Sequence, residues 1–178
     1  MAKKIALISI ATILVALSIF AMAQPTQVNT SYTLVPMTVK ELAQSTDNIL
    51  IGKVTRIQPS IVENTGGTSR VWTDVVVEVE KYLKVAPTER YVIVRLAGGR
   101  MAQVEEIVSE SVTLNEGERV LLFIKKELNT IWGDNYFVHG MIQGKYLLKN
   151  GYALNQDSSR NTMEEDLVTE IIMALNKS

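Results

Sequence analysis

The chain has no cysteine, one histidine, four prolines and only 6% aromatic residues among its 178. Without cysteine there is no disulfide, no thiolate metal site and no thiol nucleophile. With His139 as the only imidazole, nearly every histidine-based metal or catalytic arrangement goes too. Basic and acidic residues number 18 and 19, a formal charge of −1. Neither sign is in excess, so nothing in the charge favours nucleic acid or an acidic membrane surface. What the chain does have is apolar: 47% of residues are hydrophobic, enough for one domain with a real core, while the length is too short for two.

Lys3 and Lys4 precede an uncharged stretch from Ile5 to Ala23, and the composition then turns polar at Gln24-Pro25-Thr26-Gln27. A basic start, an apolar run and the A-x-A pattern of Ala21-Met22-Ala23 are the layout of a signal peptide. Residues 1–23 are therefore expected to be removed by cleavage between Ala23 and Gln24, giving a secreted or cell-surface protein. The apolar run also approaches bilayer-spanning length, so an uncleaved membrane anchor is the alternative. Cleavage would remove two lysines and leave 16 basic against 19 acidic residues. Residues 24–37 form a polar leader, which contains the glycosylation sequon Asn29-Thr30-Ser31. Residues 38–178 make up a single domain.

Within that domain, Thr38-Val39-Lys40-Glu41 reads as a capping box opening a short helix that runs to about Ser45. Asn48 to Ile57 reads as a strand in which Ile49 and Ile51 share a face, and Gly52 marks a bulge. Arg70 to Leu83 alternates, with Val71, Thr73, Val75, Val77, Val79 and Leu83 facing the core and Trp72, Asp74, Glu78, Glu80 and Tyr82 facing outward. Tyr91 to Leu96 is a further strand. Arg119 to Ile124 is apolar on both faces, which requires cover on both. Tyr136 to Val138 and Gly144 to Lys149 follow, and Asn150-Gly151 joins the latter to Tyr152-Ala153-Leu154 as a hairpin. Thr162 to Asn176 reads as a helix with a second capping box (Thr162, Glu165) and an apolar stripe of Leu167, Val168, Ile171, Ile172 and Leu175. That helix is the candidate cover. The expected fold is mainly β: a small OB-fold-like antiparallel barrel with a short N-terminal helix and a C-terminal helix.

Five segments, in order, carry a resemblance: Ser45-Thr46-Asp47-Asn48-Ile49-Leu50-Ile51-Gly52-Lys53-Val54, Thr73 to Lys84, Gly98-Gly99, Gly117-Glu118-Arg119-Val120-Leu121-Leu122-Phe123 and Gln143-Gly144-Lys145-Tyr146. Over roughly residues 38 to 150 they resemble an uncharacterised family of exported prokaryotic domains. In general shape that family is similar to the OB-fold of netrin-like modules and tissue inhibitors of metalloproteinases. The resemblance implies an OB-fold-like domain and brings no activity with it. This chain departs from the pattern at Val85, followed by Pro87, where the family often has glycine.

The inventory for catalysis is thin. His139, at a strand end between Val138 and Gly140, reads as structural, and no metal or other cofactor is expected. Asp74, Glu78 and Glu80 share a strand face, but neighbours on one face lie about 7 Å apart and are solvated, a poor glycosidase pair. Ser109 and Ser111 sit in no nucleophile elbow, and Gly98-Gly99 lacks the spacing of a phosphate cradle and reads as a tight turn. Trp72 and Tyr82 on the outward face, and Trp132 in the turn-like Asn129 to Asp134 loop, are the ligand-contact candidates. The sequence therefore points to an exported non-catalytic binding module whose partner is an exported protein or a cell-surface glycan, with nucleic acid disfavoured. A peptidase inhibitor of the OB-fold type is the alternative that the resemblance implies. Those inhibitors present an N-terminal cysteine to zinc, whereas cleavage here would leave Gln24. An enzyme using carboxylates alone is the second alternative.

Overall fold

A computed structural model describes residues 26–65, 68–84, 89–127 and 135–177. The expected signal segment, the Ala23-Gln24 junction, Val85, Pro87 and Trp132 lie outside the described residues. The structure is mainly β, with strands β1 (Thr26–Thr30), β2 (Asn48–Ile57), β3 (Ile61–Thr65), β4 (Thr68–Lys84), β5 (Tyr91–Ala97), β6 (Gly99–Met101), β7 (Val104–Val108), β8 (Arg119–Glu127), β9 (Asn135–Val138), β10 (Lys145–Lys149), β11 (Tyr152–Asn155) and β12 (Thr162–Met163). Helix α1 (Val39–Ser45) precedes β2, and α2 (Glu164–Asn176) follows β12.

The larger sheet closes on itself. β8 pairs with β2, β2 with β4, β4 with β5, β5 with β9, and β9 returns to β8. The β5–β9 pairing is parallel; the other four are antiparallel, so the all-antiparallel expectation fails at one seam. β10, β11 and β12 extend the sheet outward from β8, and β3 folds back on β4 as a hairpin. A separate three-stranded sheet, β1-β7-β6, carries the polar leader, where the sequence showed no strand signal.

The double-sided strand β8 now has its physical reason. Val120, Leu122 and Ile124 point into the ring with Leu50, Val54, Val75, Val77, Val92 and Val94. Leu121 and Phe123 point outward into a second cluster with Ile49, Ile51, Tyr146 and Leu148. Leu42 and Ala43 of α1 and Leu167, Ile171 and Ala174 of α2 close that second cluster, so the two helices are the cover that the sequence required. The first capping box forms as expected: the Glu41 amide donates to the Thr38 hydroxyl at 3.2 Å and the Thr38 amide to the Glu41 carboxylate at 2.7 Å. The second does not. Thr162 is used by the ladder, opposite Ala153, so the helix starts after Met163 without a side-chain cap and relies on Glu164, Glu165 and Asp166 against its dipole. At the other end of α1, the Lys84 ammonium donates to the carbonyls of Ala43, Gln44 and Thr46 at 2.8, 3.1 and 2.5 Å.

Gly52 sits where β2 coils against β4. A Cβ there would lie 2.6 Å from the Glu78 carbonyl, so no side chain fits. Pairing shifts around it: Ile51 opposes Lys81 but Gly52 opposes Val79, leaving Glu80 as an extra residue on β4. One extra residue moves every later side chain to the other face. Leu83, expected in the ring, packs instead with the helix-side cluster, and Tyr82, expected outside, packs against the ring interior.

Candidate ligand-binding cleft

The parallel seam positions the site. β5 and β9 pair only at Val94 with Tyr136 and Arg95 with Phe137. Beyond that point a cleft of about 230 Å³ opens, bounded by Trp72, Leu96, Ala97, Ser111, Val112, Phe137, Val138 and Met141, with Tyr32 from the leader, Arg95 and Glu127. Its walls are aromatic and aliphatic; Arg95 and Glu127 are linked through Asn135, and the Ser111 hydroxyl donates to the Ala97 carbonyl at 2.6 Å. Apolar walls with a few oriented polar groups make it the candidate ligand site.

Arg95 is the centre of the polar part. Only 4% exposed, it makes a two-point bond to Asp74, its cross-strand neighbour, with both N···O distances at 2.8 Å. Pairing with the Asp74 carboxylate holds the guanidinium pKa above its ordinary value against the opposing effect of burial. The Asn135 amide, oriented to satisfy both neighbours, donates to Glu127 at 3.0 Å and accepts from Arg95 at 3.1 and 3.2 Å. A continuous chain Asp74, Arg95, Asn135, Glu127 thus spans strands β4, β5, β9 and β8.

Trp72 is half-buried and its indole N–H donates to Glu63 at 2.9 Å, which anchors the ring edge to the β3–β4 hairpin. Tyr32 faces the cleft from the leader, and the Arg70 guanidinium lies 5.9 Å from its ring centroid. The Tyr32 amide donates to Glu110 at 2.8 Å. The segment of the leader that follows β1 therefore contributes one wall of the cleft.

Of the contact residues expected from sequence, Trp72 is at the cleft and Trp132 falls outside the described residues. Tyr82 is not there: the Glu80 bulge turns it against the ring interior, where its hydroxyl donates to the Glu89 carbonyl at 2.9 Å and burial raises its pKa. Each carboxylate of the outward face of β4 has a guanidinium partner, Asp74 with Arg95, Glu78 with Arg90 and Glu80 with Arg119. Arg119 also grips Glu164 of α2 at 2.8 and 2.9 Å. His139 contacts the Ser45 hydroxyl at 2.9 Å, and since that hydroxyl donates to the Glu41 carbonyl at 2.6 Å, the imidazole Nε2 is the donor. Gly98 and Gly99, with φ of 95° and 136°, form the expected tight link from β5 to β6. Among the described residues no group of three or more acidic or histidine side chains is placed to hold a metal, and no helix is long and apolar enough to cross a membrane.

Sequence reading missed Arg95, Glu127, Asn135, Phe137, Met141 and Tyr32. Arg95 alone left a trace: a single charge inside the apolar run Tyr-Val-Ile-Val-Arg-Leu, beside a strand that carries acids on its outward face. No protein-family model matches the chain, and no curated protein matches it.

Proposed function

We propose that this protein is an exported, non-catalytic binding module with an OB-fold-like barrel, and that the cleft at the β5–β9 seam is where it holds a protein or glycan partner. The cleft carries the reading: an anchored indole, two further aromatic walls and a buried guanidinium held in a fixed hydrogen-bonded chain are gathered in one concave site. The closed pairing order β8-β2-β4-β5-β9, with its single parallel seam, is what supports the OB-fold-like description, in which ligands meet the face of the second and third barrel strands, here β4 and β5. The resemblance to exported prokaryotic domains and the signal-peptide layout of residues 1–23 support export. The arginine partner of each β4 acid supports binding over catalysis.

The test has two arms. The intact mass of the protein from its host should correspond to a chain beginning at Gln24, and full-length chain recovered from membranes would favour the anchor. Immobilised protein should retain a defined component of the exported fraction, and Phe137→Ala, at a side chain already 38% exposed, should weaken retention while leaving the melting temperature unchanged. Retention indifferent to Phe137→Ala and Trp72→Phe would remove the cleft from the reading.

A further inference from the structure

Resting on the reading of the cleft as a ligand site, we infer that its occupant is one residue of a neutral glycan. The first ground is charge. The one guanidinium is committed: Arg95 is neutralised by Asp74 and donates to Asn135, while Glu127 accepts from the uncharged Asn135 amide. A cationic guest would meet a buried guanidinium, and an anionic guest would meet Glu127 with Asp74 behind it. An anion would lose hydration without gaining an uncommitted counter-charge, and a cation could reach Glu127 only beside the buried Arg95 guanidinium. Uncharged hydroxyls avoid that cost, since each can donate to a carboxylate or accept from a guanidinium or amide N–H.

The second ground is shape. The walls are Trp72, Tyr32 and Phe137, flat apolar surfaces of the kind that take the C–H face of a sugar ring, and Trp72 is held at its edge by Glu63 so that its orientation is set before binding. The third is size. At about 230 Å³ the cleft is smaller than the roughly 300–1,000 Å³ of sites that enclose a whole drug-sized ligand, so it takes a single ring of a longer chain that continues into solvent. Tyr32 makes the leader part of this selection, because the same residue that closes the cleft is tied to Glu110 and faces Arg70.

The experiment is a printed array of neutral oligosaccharides (β-glucan, chitin and mannan fragments) and acidic ones (uronate and sulfated fragments) probed with the purified protein. The strongest hexasaccharide is then titrated calorimetrically into the wild type, Trp72→Phe and Phe137→Ala. Retention should favour neutral glycans, and Phe137→Ala should weaken binding at least fivefold with an unchanged melting temperature. Trp72→Phe, which keeps a ring but loses the Glu63 anchor, should weaken it less. Retention confined to acidic glycans, or no neutral glycan retained, overturns the inference. If no glycan is retained while an exported protein is captured through Trp72 and Phe137, the inference fails and the cleft stands as a protein site. Glycan retention that neither substitution alters overturns the cleft reading itself.

Discussion

The Thr30 hydroxyl donates to the Glu106 carboxylate at 3.1 Å, across 76 positions of sequence. The same carboxylate accepts from Arg70 at 2.8 Å and from the Val71 amide at 2.7 Å, and Glu106 is 4% exposed. One buried anion therefore joins the leader strand to β7 and β4, and through Arg70 it bears on Tyr32 at the cleft.

Burial pushes the Glu106 carboxyl up, but the Val71 amide, the Arg70 guanidinium and the Thr30 hydroxyl together outweigh it and hold its pKa below the ordinary carboxylate value. A carboxyl depressed in the native state adds stability that is fully present above its unfolded pKa and is lost as pH falls through the native one. Glu106→Gln should cost about 2 kcal/mol at neutral pH, the scale of charge-assisted hydrogen bonds, and denaturant melts of variant and wild type should converge in acid. A difference that stays constant with pH would contradict this.

His139 has the same sign of dependence from a different cause. Burial first, and Lys125 second, lower its pKa below that of free imidazole, with Asp47 opposing. Its stabilising contribution is therefore complete above the unfolded imidazole pKa and is lost as pH falls through the native value. As the chain's one histidine it gives a single imidazole titration by NMR. A midpoint at or above that of the unfolded chain would refute the assignment, and His139→Gln should remove this step from the stability profile.

Two adjacent isoleucines of α2 separate cover from surface. Ile171 is 0% exposed against Leu121 and Phe123, whereas Ile172 is 42% exposed. Ile171→Asp should destabilise by about 3–5 kcal/mol through an unpaired buried charge, and Ile172→Asp by no more than about 0.5 kcal/mol. Equal effects in chemical denaturation would mean that α2 does not cover the sheet.

Gly52 and Gly151 should respond to alanine for different reasons. A Cβ on Gly52 meets the Glu78 backbone at 2.6 Å, which cannot move without opening β2 from β4, so about 3 kcal/mol or more should be lost. Gly151 faces open space but has φ of 81°, so the cost is the left-handed backbone alone, about 1–2 kcal/mol. Thermal melts of the two variants test the order, and a larger loss at Gly151 would reverse it.

Much of the architecture is written locally. The alternation of β4, the double-sided apolarity of β8, the Asn150-Gly151 hairpin and the Thr38 capping box all depend on near neighbours, and each of these elements forms where its pattern lies. The helical stripe of Leu167 and Ile171 likewise predicts a buried face, and the need of β8 for cover predicts where that face goes. The failures share one cause. Thr162 lost its capping role because a ladder partner, Ala153, competes for the same backbone, and Tyr82 changed faces because Glu80 bulges against β2. Neither event is visible until two segments pair.

By itself, then, the sequence determined a β domain without disulfides or thiol chemistry, its first helix, the principal strands and the demand for a helical layer, because residue type and period act over a few positions. Only the tertiary structure decided the ring closure through a parallel β5–β9 seam, the strand made by the polar leader, and the cleft. The residues that line it come from the leader, β4, β5, the segment after β7, β8, β9 and the segment after β9, and no local period records that their side chains will converge. Arg95 shows the division most plainly: the lone charge in an apolar strand is legible, but its burial between Asp74 and Asn135 exists only once β4, β5 and β9 lie side by side.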